Sequence, residues 1–170
     1  MKKLFALLAA VILISATGCQ KTKEAEIPPL PEQYSTAISM SYAGTDTKAV
    51  LTRNAHGAWG IDVVEPEILD PLTFSSENGE TSVSLDGMPL SNESSRFPQK
   101  DLCSMLFEAL EQVYSGAAVQ SPVNDGNITY SGKIDGGEYT LTRNAGDGSW
   151  IRFTVNEAQA DILFSEFKAQ

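Results

Sequence analysis

The sequence predicts an α+β protein, mainly antiparallel β, in which two three-strand meanders and a hairpin wrap one central helix. Three observations predict it. Large apolar residues alternate with small or polar ones at period two over most of 34–170. Turn chemistry breaks the alternation at short intervals, as at His56-Gly57, Asp86-Gly87 and Gly146-Asp147-Gly148. One stretch, 98–115, switches to helical spacing, and its apolar arc is roughly 200° wide where a helix on a flat core shows a stripe of about 100°. So wide an arc needs a concave partner, and the sheet must therefore curve.

Ahead of the domain, Met1-Lys2-Lys3 is a positive start and 4–14 (LFALLAAVILI) an unbroken apolar run with the length of an export-signal core. A bilayer-spanning helix would need about 20 residues. The run ends in Ser15-Ala16-Thr17-Gly18-Cys19, small residues up to a cysteine, which resembles the lipobox of bacterial lipoproteins. Residues 1–18 are thus expected to be a signal peptide and Cys19 the lipidated first residue of the mature chain. The expected location is the cell envelope, outside the cytoplasm and held to a membrane by acyl chains, each buried methylene contributing about 0.8 kcal/mol. Residues 19–33, polar and then proline-rich (IPPLPEQ at 27–33), read as a tether rather than a packed element. At about 3.1 Å per residue it would lift the 34–170 domain by up to roughly 40 Å. Lys21 and Lys23 are candidates for contact with anionic headgroups.

Without its first 18 residues the 170-residue chain keeps 152, one ordinary domain plus a tether. Of 12 basic side chains Lys2 and Lys3 go with the signal, which leaves 10 against 22 acidic ones and a net charge of −12. That balance argues against nucleic acid or another polyanion as partner.

The elements follow in order. Strand 36–42 places Thr36, Ile38, Met40 and Tyr42 on one face, and strands 48–54 and 58–64 complete the first meander. A proline-bounded corner, 66–71, follows because proline cannot donate to a ladder. Strands 72–76 and 81–86 form the hairpin, and a polar loop at 91–96 leads to the helix, which begins near Pro98 and stops at Gly116. Its apolar arc holds Leu102, Cys103, Met105, Leu106, Phe107, Ala109, Leu110, Val113 and Tyr114, with Ser104, Glu108, Glu111, Gln112 and Ser115 opposite. Strands 128–134, 138–144, 150–155 and 162–167 return to alternation.

The pentapeptide Leu51-Thr52-Arg53-Asn54-Ala55 recurs as Leu141-Thr142-Arg143-Asn144-Ala145, and a tryptophan follows each copy, Trp59 and Trp150. Upstream, Tyr42-Ala43-Gly44 is matched by Tyr130-Ser131-Gly132. Arg53 and Arg143 are either two equivalent ligand contacts or strand-end residues that face water before a turn. The usual exposure of Arg and Asn favours the second.

Candidate chemistry is sparse. With Cys19 acylated, Cys103 is left without a disulfide partner, and its place on the apolar arc favours a small buried side chain over a reactive thiol. His56, the one histidine, lies in a turn with no supporting constellation. Glu65 and Glu67 flank Pro66, and Glu108 and Glu111 share the polar helix face, a pattern more typical of a solvated surface than of acid/base work. Asn124-Asp125-Gly126-Asn127 lacks the alternating ligands of a calcium loop and reads as a turn. Tyr42, Tyr130, Tyr139 and the tryptophans are expected in the core. No catalytic residue, no metal and no cofactor is expected, and the protein is not expected to be an enzyme.

The stretch 57–90 combines a Gly-Ala-Trp strand, Glu65-Pro66-Glu67-Ile68-Leu69, Leu72-Thr73-Phe74, a turn, and Val83-Ser84-Leu85-Asp86-Gly87-Met88-Pro89. Together with the lipobox, the single strongly apolar helix and the second meander, it resembles the LolA/LolB-like lipoprotein-carrier superfamily. The resemblance implies an incomplete β-barrel whose apolar hollow, covered by helices, holds acyl chains or docks partners. It makes Leu102, Leu106, Phe107, Leu110 and Val113 the expected lining of a site for an apolar ligand such as an acyl chain. The alternative is a structural or interaction lipoprotein that docks to an envelope complex.

Overall fold

In the computed structural model the chain is described over residues 27–170, apart from 43, 55, 71, 78 and 91–97 and the side chains of 98–100. The expected signal peptide 1–18, Cys19 and the loop 91–96 lie outside the described residues.

Alternation sorts the first strand, β1 (Tyr34–Tyr42), into an inner row of Tyr34, Thr36, Ile38 and Met40 and an outer row of small residues, Ser35, Ala37, Ser39 and Ser41. The same rule sends Ala49 and Leu51 of β2 (Thr45–Arg53), Trp59, Ile61 and Val63 of β3 (Trp59–Glu65), and Leu72 and Phe74 of β4 (Leu72–Glu77) to the inside. A 3₁₀ turn, Glu67–Leu69, makes the proline-bounded corner between β3 and β4. After β5 (Glu80–Leu85) come a two-residue strand, β6 (Met88–Pro89), and the helix α1 (Pro98–Tyr114). Another two-residue strand, β7 (Val119–Gln120), precedes β8 (Asn127–Ile134), β9 (Gly137–Asn144), β10 (Trp150–Val155) and β11 (Ala160–Ala169).

All eleven strands form one antiparallel sheet in the order β6-β5-β4-β3-β2-β1-β11-β10-β9-β8-β7. β1 and β11 sit at its centre and close the two halves on each other, with Ile38 opposite Phe164 and Met40 opposite Ile162. The sheet is curved and not closed into a barrel. Its curvature follows from α1, which touches β8 on one wing, β4 and β5 on the other, and β1 between them. β4 and β8 are seven strand spacings apart, about 34 Å along a flat sheet at about 4.8 Å each, whereas a helix is about 10–12 Å across. Only a sheet bent around the helix brings both wings to it. One-residue irregularities on β3, β10 and β11 interrupt the ladders and supply local bends. At the last of these the Thr36 hydroxyl donates to the Ser165 carbonyl at 2.7 Å.

The α1 burial follows the sequence arc residue by residue: Leu102, Cys103, Leu106, Ala109 and Leu110 are fully buried, and Glu108 and Glu111 are exposed. Its C-terminus is a Schellman cap. Gly116, at φ +76°, donates to the Val113 carbonyl and Ala117 to the Gln112 carbonyl. On the polar side Gln112 ties the helix to β8 by donating to the Lys133 carbonyl at 2.8 Å. Among the described residues no helix is long and apolar enough to cross a membrane.

β2 and β9 both run antiparallel to their neighbours in a ladder that passes through β1 and β11, so they point the same way. The turns that follow them, each carrying one copy of the repeated pentapeptide, therefore lie on the same rim of the half-barrel.

Candidate functional site: a filled concave face and an arginine-clasped rim

The five residues expected to line an apolar ligand site all face the sheet. Leu102, Leu106 and Leu110 are 0 % exposed, Phe107 is 2 % and Val113 5 %, and they pack with Ile38, Leu51, Phe74, Ile128, Leu141 and Phe153 in one continuous core. Four surface pockets among the described residues are lined by none of the five. Their chemistry suits an acyl chain, and here they pack α1 against the sheet. Cys103 lies in the same layer, free and fully buried, and burial pushes its thiol well up from the usual range.

The rim holds the more specific arrangement. Arg143 does not face water, as its position at a strand end suggests: it is 2 % exposed. Its Nε donates to the Gly148 carbonyl at 2.8 Å, and its two terminal nitrogens donate to the carbonyls of Pro28 at 2.8 Å and Pro29 at 2.7 Å. The guanidinium lies 5.8 Å from the ring centre of Trp150. Arg53, in the first copy, donates to the Glu32 carbonyl. It stacks over Tyr114 at 3.9 Å and lies 5.2 Å from Trp59. Between them the Tyr114 hydroxyl donates to the Pro31 carbonyl at 2.8 Å. The part of the expected tether that the structure describes, 27–33, thus runs along the rim as a strap, with Ile27 and Leu30 packed on the core. The sequence hides this contact because the arginines and the carbonyls that they bind are more than 20 and 110 residues apart.

Each half of the repeat builds its turn in the same way. Asn54 Oδ1 accepts from the backbone N–H groups of His56 and Ala58, and Asn144 Oδ1 from those of Gly146 and Asp147. Gly57 and Gly148 then adopt positive φ, +81° and +77°. A Cβ on Gly148 would stand 2.5 Å from an Arg143 nitrogen, and one on Gly57 3.3 Å from an Arg53 nitrogen. The unit that repeats is therefore a seat for an arginine, made by an Asn-capped turn, a glycine and a tryptophan.

Aromatic rings pave the rim. Tyr34 meets Trp59 edge-on at 6.0 Å and Phe167 at 5.1 Å, Trp59 meets Tyr114 at 5.4 Å, and Tyr130 meets Trp150 at 6.0 Å. Burial raises the Tyr34 hydroxyl well above its ordinary pKa and pushes Tyr114 to about 12, where Arg53 and Arg143 hold it down in part. Three buried polar atoms here have no hydrogen-bond partner: Tyr34 Oη, Trp150 Nε1 and Arg53 Nε. The Tyr34 hydroxyl stands close to both Trp150 and Tyr114.

The other candidates have structural partners. His56 is exposed in its turn. Glu65 pairs with Lys48 at 2.8 Å on the surface, Glu108 accepts from the Asp135 N–H at 3.3 Å, and Glu111 accepts from Trp59 Nε1. Residues 124–127 form a two-residue turn, with Asn124 and Asn127 exchanging backbone hydrogen bonds at 2.9 Å. Tyr130, Tyr139, Trp59 and Trp150 are core residues. No group of three or more His, Cys, Asp or Glu side chains among the described residues is placed to hold a metal ion.

No family model and no curated protein matches the chain. Among solved structures it is similar to an uncharacterized conserved protein from Thermus thermophilus, at 12% identity, with 83% of this chain and 80% of that chain covered and a TM-score of 0.48. It is also similar to a LolA superfamily protein from Nitrosomonas europaea, at 9% identity, with 86% of this chain and 89% of that chain covered and a TM-score of 0.39.

Proposed function

We propose that the protein is a lipid-anchored lipoprotein of the bacterial cell envelope, attached through Cys19, and that its half-barrel is a non-catalytic docking module for an envelope protein partner. The observation that carries this reading is the filled concave face: with α1 packed into the sheet, the rims and the outer face remain for recognition. The acidic balance of the chain, 22 carboxylates against 12 basic side chains, supports a protein partner over a polyanion. An apolar cargo held by Leu102, Leu106, Phe107, Leu110 and Val113 requires α1 to leave the sheet. Five such side chains contribute roughly 8–15 kcal/mol of burial at about 1.5–3 kcal/mol each, so an acyl chain would have to replace the helix contact for contact.

The two readings separate on Cys103, which α1 buries in the core. Protein extracted from membranes in mild detergent is expected to give, in native mass spectrometry, a mass for an acylated chain beginning at Cys19 with no loosely bound lipid. Its Cys103 should resist thiol reagents. A co-purified lipid together with a reactive Cys103 would replace the docking reading by the carrier. A Cys19→Ala variant is expected in the soluble fraction and folded; one that stays in the membrane would remove the anchor from the proposal.

A further inference from the structure

The clasped rim is built of hydrogen-bond donors. Arg143, Tyr114 and Arg53 donate to the carbonyls of Pro28, Pro29, Pro31 and Glu32. Behind these donors the Tyr34 hydroxyl lies buried close to Trp150 and Tyr114, Tyr34 being 1 % and Trp150 2 % exposed. A polypeptide that suits such a rim must offer acceptors and withhold donors. Proline-rich chain does so, because proline has no N–H and its extended three-residue helix displays carbonyls while the rings lie on aromatic faces. Three of the four strap residues bound here are prolines, and the arginines that hold them are themselves seated over Trp59, Tyr114 and Trp150.

We infer that this rim is a receptor for a proline-rich, extended peptide, that residues 28–32 occupy it in cis, and that a proline-rich segment of the partner protein displaces them. The inference rests on the docking reading for the identity of the partner and on the rim alone for the chemistry of the site. Past Arg53 the rim opens into a groove of about 620 Å³ lined by His56, Ser76, Glu77 and Glu111, which gives that segment room to continue.

A cis ligand on a short linker competes at a millimolar effective concentration, so free peptide binds measurably only where the strap is weakened. The test uses the whole mature chain made soluble by Cys19→Ala, with a fluorescent peptide of the strap's own sequence, IPPLPEQ, as probe. Adding Pro28→Gly, Pro29→Gly and Pro31→Gly to the chain is expected to raise peptide affinity at least tenfold, and Tyr114→Phe on that background to lower it several-fold. A peptide with alanine at the three proline positions should bind at least tenfold more weakly. Absence of saturable binding to a triple-glycine variant that still unfolds cooperatively overturns the inference, as does equal binding of the alanine peptide. Dimerisation of the variant without peptide uptake overturns it in favour of strap exchange between copies. Because the assay needs neither lipid nor partner, a rim that binds the peptide in a protein with no envelope partner would refute the docking reading and leave the site standing.

Discussion

Arg143 and Arg53 occupy equivalent places in the two copies of Leu-Thr-Arg-Asn-Ala, yet Arg143 is the more tightly enclosed, with three donated bonds and a glycine against its guanidinium. Gly148→Ala is therefore expected to destabilise more than Gly57→Ala. Both place a Cβ at positive φ, which costs about 1–2 kcal/mol, but only the first also displaces a buried charged group from its acceptors, for about 3 kcal/mol or more in all. Urea unfolding of the two variants measures the difference, and equal midpoints would remove the asymmetry. The repeat itself is legible in the sequence, including the tryptophan after each copy. The role of its arginines is not, because Arg at a strand end is usually solvated and nothing local to 51–59 or 141–150 names a partner in 28–32. The signal that points to it is chemical rather than positional: a segment poor in N–H groups in the same chain as two repeated donor turns.

At the level of elements, α1 was legible almost completely, since the width of its apolar arc already demanded a surface on both sides and the observed burial follows the arc. The nine longer strands were legible for the same reason, each setting one row of side chains inward at period two. The two-residue edge strands β6 and β7 were not, because two residues carry no period. Nor was the packing of 27–33, whose proline content looks the same whether the segment is solvated or held by side chains. The filled concave face makes α1 the principal test of the core. Leu106→Ala is expected to cost about 2–5 kcal/mol, and Gly116→Ala, which forces a Cβ into the left-handed cap, about 1 kcal/mol. Chemical denaturation checks both. A Leu106→Ala cost below about 1 kcal/mol would mean that α1 is loosely seated and would reopen the concave face to a ligand.

Over the whole molecule, the buried acids Cys103, Tyr34 and Tyr139 make folding sensitive to alkali. Burial raises all three, Tyr139 to about 12 with Glu108 adding to the effect, so the folded chain holds protons that the unfolded chain releases. Their stabilisation is complete below the unfolded values, about 8.5 for Cys and 10 for Tyr, and is lost as pH rises beyond them, at about 1.4 kcal/mol per pH unit for each group in its window. Urea midpoints should hold to about pH 8, decline gently to 10 and then steeply; Cys103→Ala should abolish the decline between pH 8 and 10 and leave a shallower one above it, and a midpoint level to pH 10.5 would contradict the burial of these groups. On the proposed anchoring at Cys19, the strap would limit how far the domain can stand from the lipid: with 28–32 clasped, the span from Cys19 to Ile27 reaches at most about 29 Å at about 3.6 Å per residue. The rim that holds the strap would then lie nearer the lipid than the opposite rim, with the Glu67–Leu69 corner and the exposed Ile68 and Met88. Releasing the clasp with Arg53→Ala and Arg143→Ala together lengthens the spacer by residues 28–32, up to about 18 Å. Energy transfer from a labelled surface position to a lipid-embedded acceptor, on vesicles carrying the acylated protein, should therefore weaken in the double variant, and unchanged transfer would mean that the strap does not govern the standing height of the domain.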